Sequence, residues 1–289
     1  MTNKQTNKQD VTILINGYDL YEEAWEPFLK LFFKQWNDCP YPFVLNSNSI
    51  DYKGAYSDRV ESIHPTKKKC TWSERLYNCL KHIDTDFVLF VLEDYFLLNP
   101  VSADVFEHAH SLMQADSKIG MAALSYGRVN TESGVFEDEF FYSRIIDENN
   151  RIWCRINLYR RDYLMKLIRK FESIWEFEQF ASYRAKKLPF YIIQQKDSIP
   201  EGFTFSCMGE NGYGISRGKW LPKTIELFEK NDIKVDFDHL GVKDFDSKQP
   251  SDNTVLKGIV KERMYTVKHR IKDLKKSARR LSRRIRSTI

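Results

Sequence analysis

Apolar residues recur at two spacings along the first hundred positions, and the switching between them predicts alternating strands and helices. Val11 to Asn16 is a short apolar run that closes on Asn16-Gly17-Tyr18-Asp19, which reads as a strand entering a tight turn. Over Glu22 to Trp36 the spacing changes to three and four, with Trp25, Phe28, Leu29, Phe32, Phe33 and Trp36 on one face. That is an amphipathic helix, and Pro40 and Pro42 end it. Phe43 to Leu45 then reads as a second strand running into the polar cluster Asn46-Ser47-Asn48-Ser49. Strand, helix, strand with polar loops at the same end is a βαβ unit, so a parallel sheet is expected.

The same alternation repeats with more force between Thr71 and Leu98. Trp72, Leu76, Cys79, Leu80 and Ile83 lie on one face of a predicted helix, which leaves Ser73, Arg75 and Asn78 off it. Asp84-Thr85-Asp86 breaks the pattern, and the six apolar residues Phe87 to Leu92 follow as a strand buried on both faces. Glu93 and Asp94 stand where that strand stops. The carboxyl ends of parallel strands border the crevice in which open α/β sheets bind ligands, and charges there need a cation or a donor to face. An acidic pair at such a place also serves as an ordinary cap of the next turn.

Further along, the spacing predicts a helix over Ala103 to Ala115, strands at Gly120 to Leu124, Arg151 to Ile156 and Tyr191 to Gln195, and helices at Tyr163 to Phe171 and Lys223 to Lys230. Asp51 to Lys69 shows no clear period, and Asp138 to Asn150 is acidic and turn-like. Ile174 to Ser182 carries two acids two apart, Glu176 and Glu178, among Trp175, Phe177 and Phe180. Ser206 to Trp220 holds four glycines, which forbid regular structure and let backbone approach a ligand; Arg217 and Lys219 sit at its end. Ser247 to Thr254 is a polar linker. Beyond it Val260, Met264, Val267, Ile271, Leu274, Ala278, Leu281 and Ile285 recur at alternating fours and threes, one apolar stripe on a long helix.

Charge separates that helix from the rest. Positions 257–289 hold 13 basic and 2 acidic residues, against 32 basic and 38 acidic in positions 1–256. A basic helix with one apolar stripe suits an anionic bilayer surface, and its period also allows pairing with a second copy as a coiled coil. Like charge on its flanks opposes the coil, so the membrane surface is favoured and nucleic acid ranks third. No apolar run reaches the length of about eighteen residues that a membrane span needs, and Met1 to Asp10 is too polar for a signal peptide, so a cytoplasmic protein at the inner membrane face is expected. The five cysteines show no Cys-x-x-Cys pair, which points to buried thiols and away from disulfides or a zinc ribbon.

In its order of elements, with Ser73, Arg75 and Asn78 on a helix, an acidic turn, a buried strand and then acids, the chain resembles the nucleotide-sugar half of GT-A glycosyltransferases. It is most similar to the inverting family 2 type of bacterial capsule and lipopolysaccharide synthesis. The resemblance covers about the first two thirds of the chain and implies an α/β GT-A-like (Rossmann-like) fold over 11–246. The sheet is expected to be central, mostly parallel and flanked by helices, with a linker at 247–256 and the basic amphipathic helix at 257–289. It further implies a donor site made by Asp19, Asn46, Asn48, Arg75, Arg217 and Lys219, with a UDP-sugar as donor. Glu93 and Asp94 would hold a divalent cation, Mn²⁺ or Mg²⁺, although Tyr95 stands where the family's Asp-x-Asp pattern has its last acid. Glu178, or Glu176 as second choice, would be the general base that deprotonates an acceptor hydroxyl, with aromatic neighbours raising its pKa. For Asn46 and Asn48 turn chemistry is an equal alternative, for Arg75 a salt bridge to Asp94 or Glu74, and for the acids of 174–182 favourable placement in a helix's first turn. The expected activity is transfer of a sugar to a lipid-linked surface glycan; the competing reading is a non-catalytic carbohydrate- or membrane-binding module.

Overall fold

The computed structural model describes residues 10–65, 70–125, 132–146, 152–196 and 213–243. The polar N-terminus, the lysines 67–69, most of the glycine-rich window before Tyr213, the linker and the basic helix 257–289 lie outside the described residues. The opening βαβ unit forms as the spacing predicts: β1 (Val11–Asn16), α1 (Glu22–Gln35) and β2 (Phe43–Asn46), with a short 3₁₀ turn at Asp19–Tyr21. β1 and β2 are parallel neighbours, Ile13 beside Phe43. The central stretch gives α2 (Trp72–Leu80) and β4 (Phe87–Leu92), and β4 pairs parallel with β1 along its whole length. α3 (Ala103–Ala115), β5 (Ile119–Ala123), β9 (Tyr191–Gln195) and α6 (Pro222–Lys230) also fall where expected.

Three strands were not legible in the pattern. β3 (Val60–Ile63) adds to β2, while β6 (Glu132–Glu137) and β7 (Phe141–Arg144) close the far side of the sheet. Each breaks the rule used to find strands. β3 is buried only at its two ends, β6 is almost wholly exposed, and β7 buries Ser143 and Arg144 beside two aromatics. The strand expected over 151–156 is irregular chain, and β8 (Asn157–Arg160) begins just after it. α4 (Arg161–Leu167) stops earlier than Phe171 because Ile168 is already extended.

The nine strands form one sheet in the order β3-β2-β1-β4-β8-β5-β9-β7-β6. β8 and β7 run against their neighbours, and the pairings leave the other seven strands pointing the same way. Side chains alternate between two apolar layers. Val11, Ile13, Ile15, Leu89 and Val91 face the core under α1, α3 and α6, and Leu14, Val88 and Phe90 face the one under α2, α4 and α5 (Ile174–Ala185). Helices on both faces leave the carboxyl ends of β1, β2 and β4 as the open edge for polar groups. Among the described residues no helix is long and apolar enough to cross a membrane. Cys39, Cys79 and Cys154 are buried thiols, as expected.

Candidate functional site

β4 delivers Glu93 and Asp94 to that edge. Glu93 is 5% exposed, and its carboxylate accepts the backbone N–H of Tyr18 from the loop after β1. Asp94 accepts the N–H of Ile215, and its own carbonyl takes Gly214 N–H at 2.8 Å. The pair is therefore clamped between the loop after β1 and the segment that begins at Tyr213. Burial pushes both carboxyls well above the ordinary carboxylate range, for Glu93 with help from the Asp94 charge and against the pull of Arg75. Two adjoining carboxyls that resist being charged together call for positive charge.

Arg75 supplies part of it. α2 is started by Thr71, whose hydroxyl accepts Glu74 N–H, and the helix turns Arg75 inward to 3% exposure. Its guanidinium donates to Asn48 Oδ1, and Glu93 is the charge that acts on it most strongly. Its Nε–H is buried without a partner, so the fork retains donor capacity.

The segment after Tyr213 is a two-residue hairpin. β10 (Ile215–Ser216) and β11 (Lys219–Trp220) are joined by Arg217 and Gly218, both with positive φ (53° and 75°), the geometry of a type I′ turn. Gly214 lies so close to Phe96 that a Cβ would stand 2.3 Å from its ring. Trp220 Nε1 donates to Glu23 on α1 at 2.5 Å, and Gly218 N–H donates to the Tyr21 hydroxyl, itself within electrostatic reach of Asp94 and Glu93. Arg217 and Lys219 are thus exposed at a hairpin tip pinned beside the carboxylates.

α5 approaches the same edge from the other face. Phe177 packs on Trp72 of α2 with ring centroids 5.4 Å apart, and Trp72 packs on Phe90 of β4. Glu178 Oε1 accepts Cys154 N–H at 2.7 Å, and Glu178, Cys154 and Arg155 all act on the Tyr95 hydroxyl, next to Asp94. The strand end and Glu178 of α5 therefore act on the same hydroxyl. Trp153, Trp175 and Tyr183 are exposed near this side.

Three expected site residues are engaged by partners within the protein. Glu176 is the second half of a capping box, its Oε2 taking Ser173 N–H at 3.0 Å while Ser173 Oγ accepts Glu176 N–H. Because α5 is regular, residues two apart point roughly 200° around the helix from one another, so Glu176 closes the helix end and does not share Glu178's direction. Asn46 is 0% exposed and donates to Asn16 Oδ1 at 2.7 Å. Asp19 takes Asn48 N–H (2.7 Å), Ser49 N–H (2.9 Å) and Ser49 Oγ (2.7 Å), so its carboxylate ties the two loops together. Tyr21, Arg155 and Gly214 were missed; a lone tyrosine, arginine or glycine in a loop gives no periodic signal.

Glu93 and Asp94 are hard oxygen donors of the kind Mg²⁺ and Mn²⁺ prefer, and their raised pKa values fit a site that a cation would relieve. Among the described residues no group of three or more His, Cys, Asp or Glu converges on one point. The His239 imidazole pairs with Glu23 at 3.1 Å.

The fold and its edge define an α/β protein with an acidic and basic cluster at the carboxyl ends of its parallel strands. No protein-family model and no curated protein matches the chain. Among solved structures it is similar to a 1–349 fragment of S. aureus TarS, at 16% identity and a TM-score of 0.40 over 65% of this chain and 58% of that one. The same fragment in complex with UDP-GlcNAc matches at 13% and 0.40, over 67% of this chain and 60% of that one. A cytidylyltransferase from Leptospira borgpetersenii matches at 14% and 0.41, over 78% and 95%. The chain spans less than two thirds of the TarS fragment, and the likeness is one of fold.

Proposed function

We propose that this protein is a glycosyltransferase that moves a sugar from a nucleotide-sugar, a UDP-sugar in the first instance, to a glycan hydroxyl. The reading is supported by Arg75 acting on Glu93, Glu93 on Asp94, Asp94 and Glu178 on the Tyr95 hydroxyl, and the turn between Arg217 and Lys219 bonding Tyr21 within reach of the two carboxyls. Departure of a nucleoside diphosphate builds negative charge, and Arg75 with the two hairpin cations is suited to stabilise it. A divalent cation held by Glu93 and Asp94 would neutralise diphosphate charge. Glu178, held by Cys154 N–H beside Tyr95, accepts the acceptor's hydroxyl proton, and the freed oxygen attacks the anomeric carbon as the bond to the diphosphate breaks. In-line attack inverts that centre. The acceptor is a lipid-linked surface glycan and the site of action the inner membrane face, both resting on the apolar stripe and basic flanks expected of 257–289.

Calorimetry with UDP, with and without Mn²⁺, followed by thermal stabilisation across UDP-, CDP- and GDP-sugars, tests this. Absence of binding under every condition would leave the second reading, a carbohydrate- or membrane-binding module on the same fold. Tyr95 in place of a third acid is the residue that favours it.

A further inference from the structure

Ser47, His64 and Asp51 form a hydrogen-bonded chain just behind the site, and nothing in the proposed chemistry uses it. Ser47 directly follows β2, His64 directly follows β3, and the strands are parallel neighbours with Asn46 beside Ile63, so the register sets the two side chains next to each other. Ser47 Oγ lies 2.8 Å from His64 Nδ1, and His64 Nε2 lies 2.6 Å from Asp51 Oδ1. The order of residues is that of a hydrolytic triad, yet burial excludes that use. Ser47 is 0% exposed, and its one hydroxyl hydrogen is given to Ile50 O at 2.8 Å. With that hydrogen engaged, the serine oxygen accepts from Nδ1–H, and the Asp51 carboxylate, which can only accept, takes Nε2–H, so the two links together are those of a ring with a hydrogen on each nitrogen.

The chain fixes the loop 47–51, and this loop holds Arg75. Asn48, the residue after Ser47, accepts from the guanidinium through Oδ1, while its N–H and that of Ser49 are tied to Asp19. We infer that His64 is a positioning residue for the nucleotide donor. By locking Ser47 it keeps Asn48 on Arg75, and so sets the direction of the guanidinium's remaining N–H groups, the partnerless Nε–H among them. This rests on Arg75 meeting the donor diphosphate, as proposed above. The two links of the chain are unequal. Ser47 is buried, whereas the Asp51 side chain is 61% exposed, so water screens the His64 to Asp51 contact and the link to Ser47 dominates.

The inequality gives the test. An asparagine amide nitrogen reaches the position of a histidine Nδ1, and a glutamine amide nitrogen that of Nε2. His64→Asn therefore keeps the Ser47 link, and His64→Gln keeps only the link to Asp51. The readouts are calorimetric affinity for UDP, with CDP and GDP in parallel, the KM and kcat for UDP-sugar hydrolysis, and the melting temperature without nucleotide. His64→Ala and His64→Gln weaken UDP binding about tenfold, the loss of one well-placed hydrogen bond. The rise falls on KM more than on kcat. His64→Asn stays near the unsubstituted protein, and Asp51→Asn changes affinity by less than about twofold.

If His64→Ala binds UDP as the unsubstituted protein does, or if His64→Asn is no better than His64→Gln, the inference is overturned. An equal fall in melting temperature, KM and kcat would likewise overturn it, as that is the signature of general loosening. If the unsubstituted protein binds none of the three nucleotides, the transferase reading itself falls and takes this inference with it.

Discussion

Glu93 and Asp94 carry two opposing demands: their charge is what would hold a cation in the proposed site, and the strand that delivers them removes the water that would keep them charged. Their folded pKa values lie above the ordinary carboxylate range, so the native state binds more protons than the unfolded chain as pH rises from that range through neutrality. Stability from this pair is present at lower pH and lost across that interval. The melting temperature of Glu93→Gln is therefore expected to fall less steeply with rising pH than that of the unsubstituted protein, and parallel slopes would refute the burial argument. At Arg75 the fork matters more than the charge. Arg75→Lys should weaken UDP binding by about tenfold or more, since an ammonium cannot span Asn48 and a phosphate together. Glu178→Gln should leave UDP affinity intact and lower turnover by about 10²- to 10⁴-fold, the usual contribution of a general base. Loss of UDP binding in that variant would place Glu178 on the donor side instead.

The hairpin β10/β11 shows how an element is built by close approach. Its turn residues take positive φ, and its first residue is appressed to Phe96 with no room for a methyl group. Gly214→Ala should push the hairpin off Phe96, costing about 1–3 kcal/mol in urea unfolding and weakening UDP binding. A change in neither would mean that the hairpin is not part of the site. The glycine density of this region signalled irregular backbone near a ligand, and the described part, 213–220, is a tight turn. A comparable reading misled at Glu176. Two acids among aromatics looked like a site, and one of them proved to be the capping-box partner of Ser173. A Ser-x-x-Glu spacing ahead of an apolar run was visible in the sequence and pointed to this outcome.

Across the whole molecule α2 and α5, which approach the candidate site from one face, are joined through the loop before α5. Ser73 N–H on α2 donates to Glu172 O, Thr71 Oγ1 donates to Lys170 O, and Glu172 receives Arg184 of α5 through two bonds of 2.7 Å each. Glu172 is 1% exposed while the Arg184 side chain is 18% exposed, so removal of Glu172 leaves a half-buried guanidinium held only by Leu167 O. Glu172→Ala should cost about 1.5–3 kcal/mol in urea unfolding, the range for hydrogen bonds to a charged group, and a cost like that of a surface pair would contradict this account. At the far end of the chain, deleting 257–289 should abolish sedimentation with anionic liposomes while leaving UDP affinity unchanged.

The sequence by itself determined the buried strands and the amphipathic helices, because a six-residue apolar run or a three/four stripe can be hidden in few ways. From that it also determined that Glu93 and Asp94 would end up at the carboxyl end of a buried parallel strand. Only the tertiary structure decided which polar groups face outward and which are consumed in holding the loops. Asn46 and Asp19 were sound expectations at the level of residue type, yet Asn16 and the backbone of residues 48 and 49 reach them first. The edge strands β3 and β6 and the placement of Glu178 beside Tyr95 depend on pairings between segments far apart in the chain. Such pairings leave no period in the sequence, since their stability comes from the partner strand and the packed layer, not from the segment's own residues.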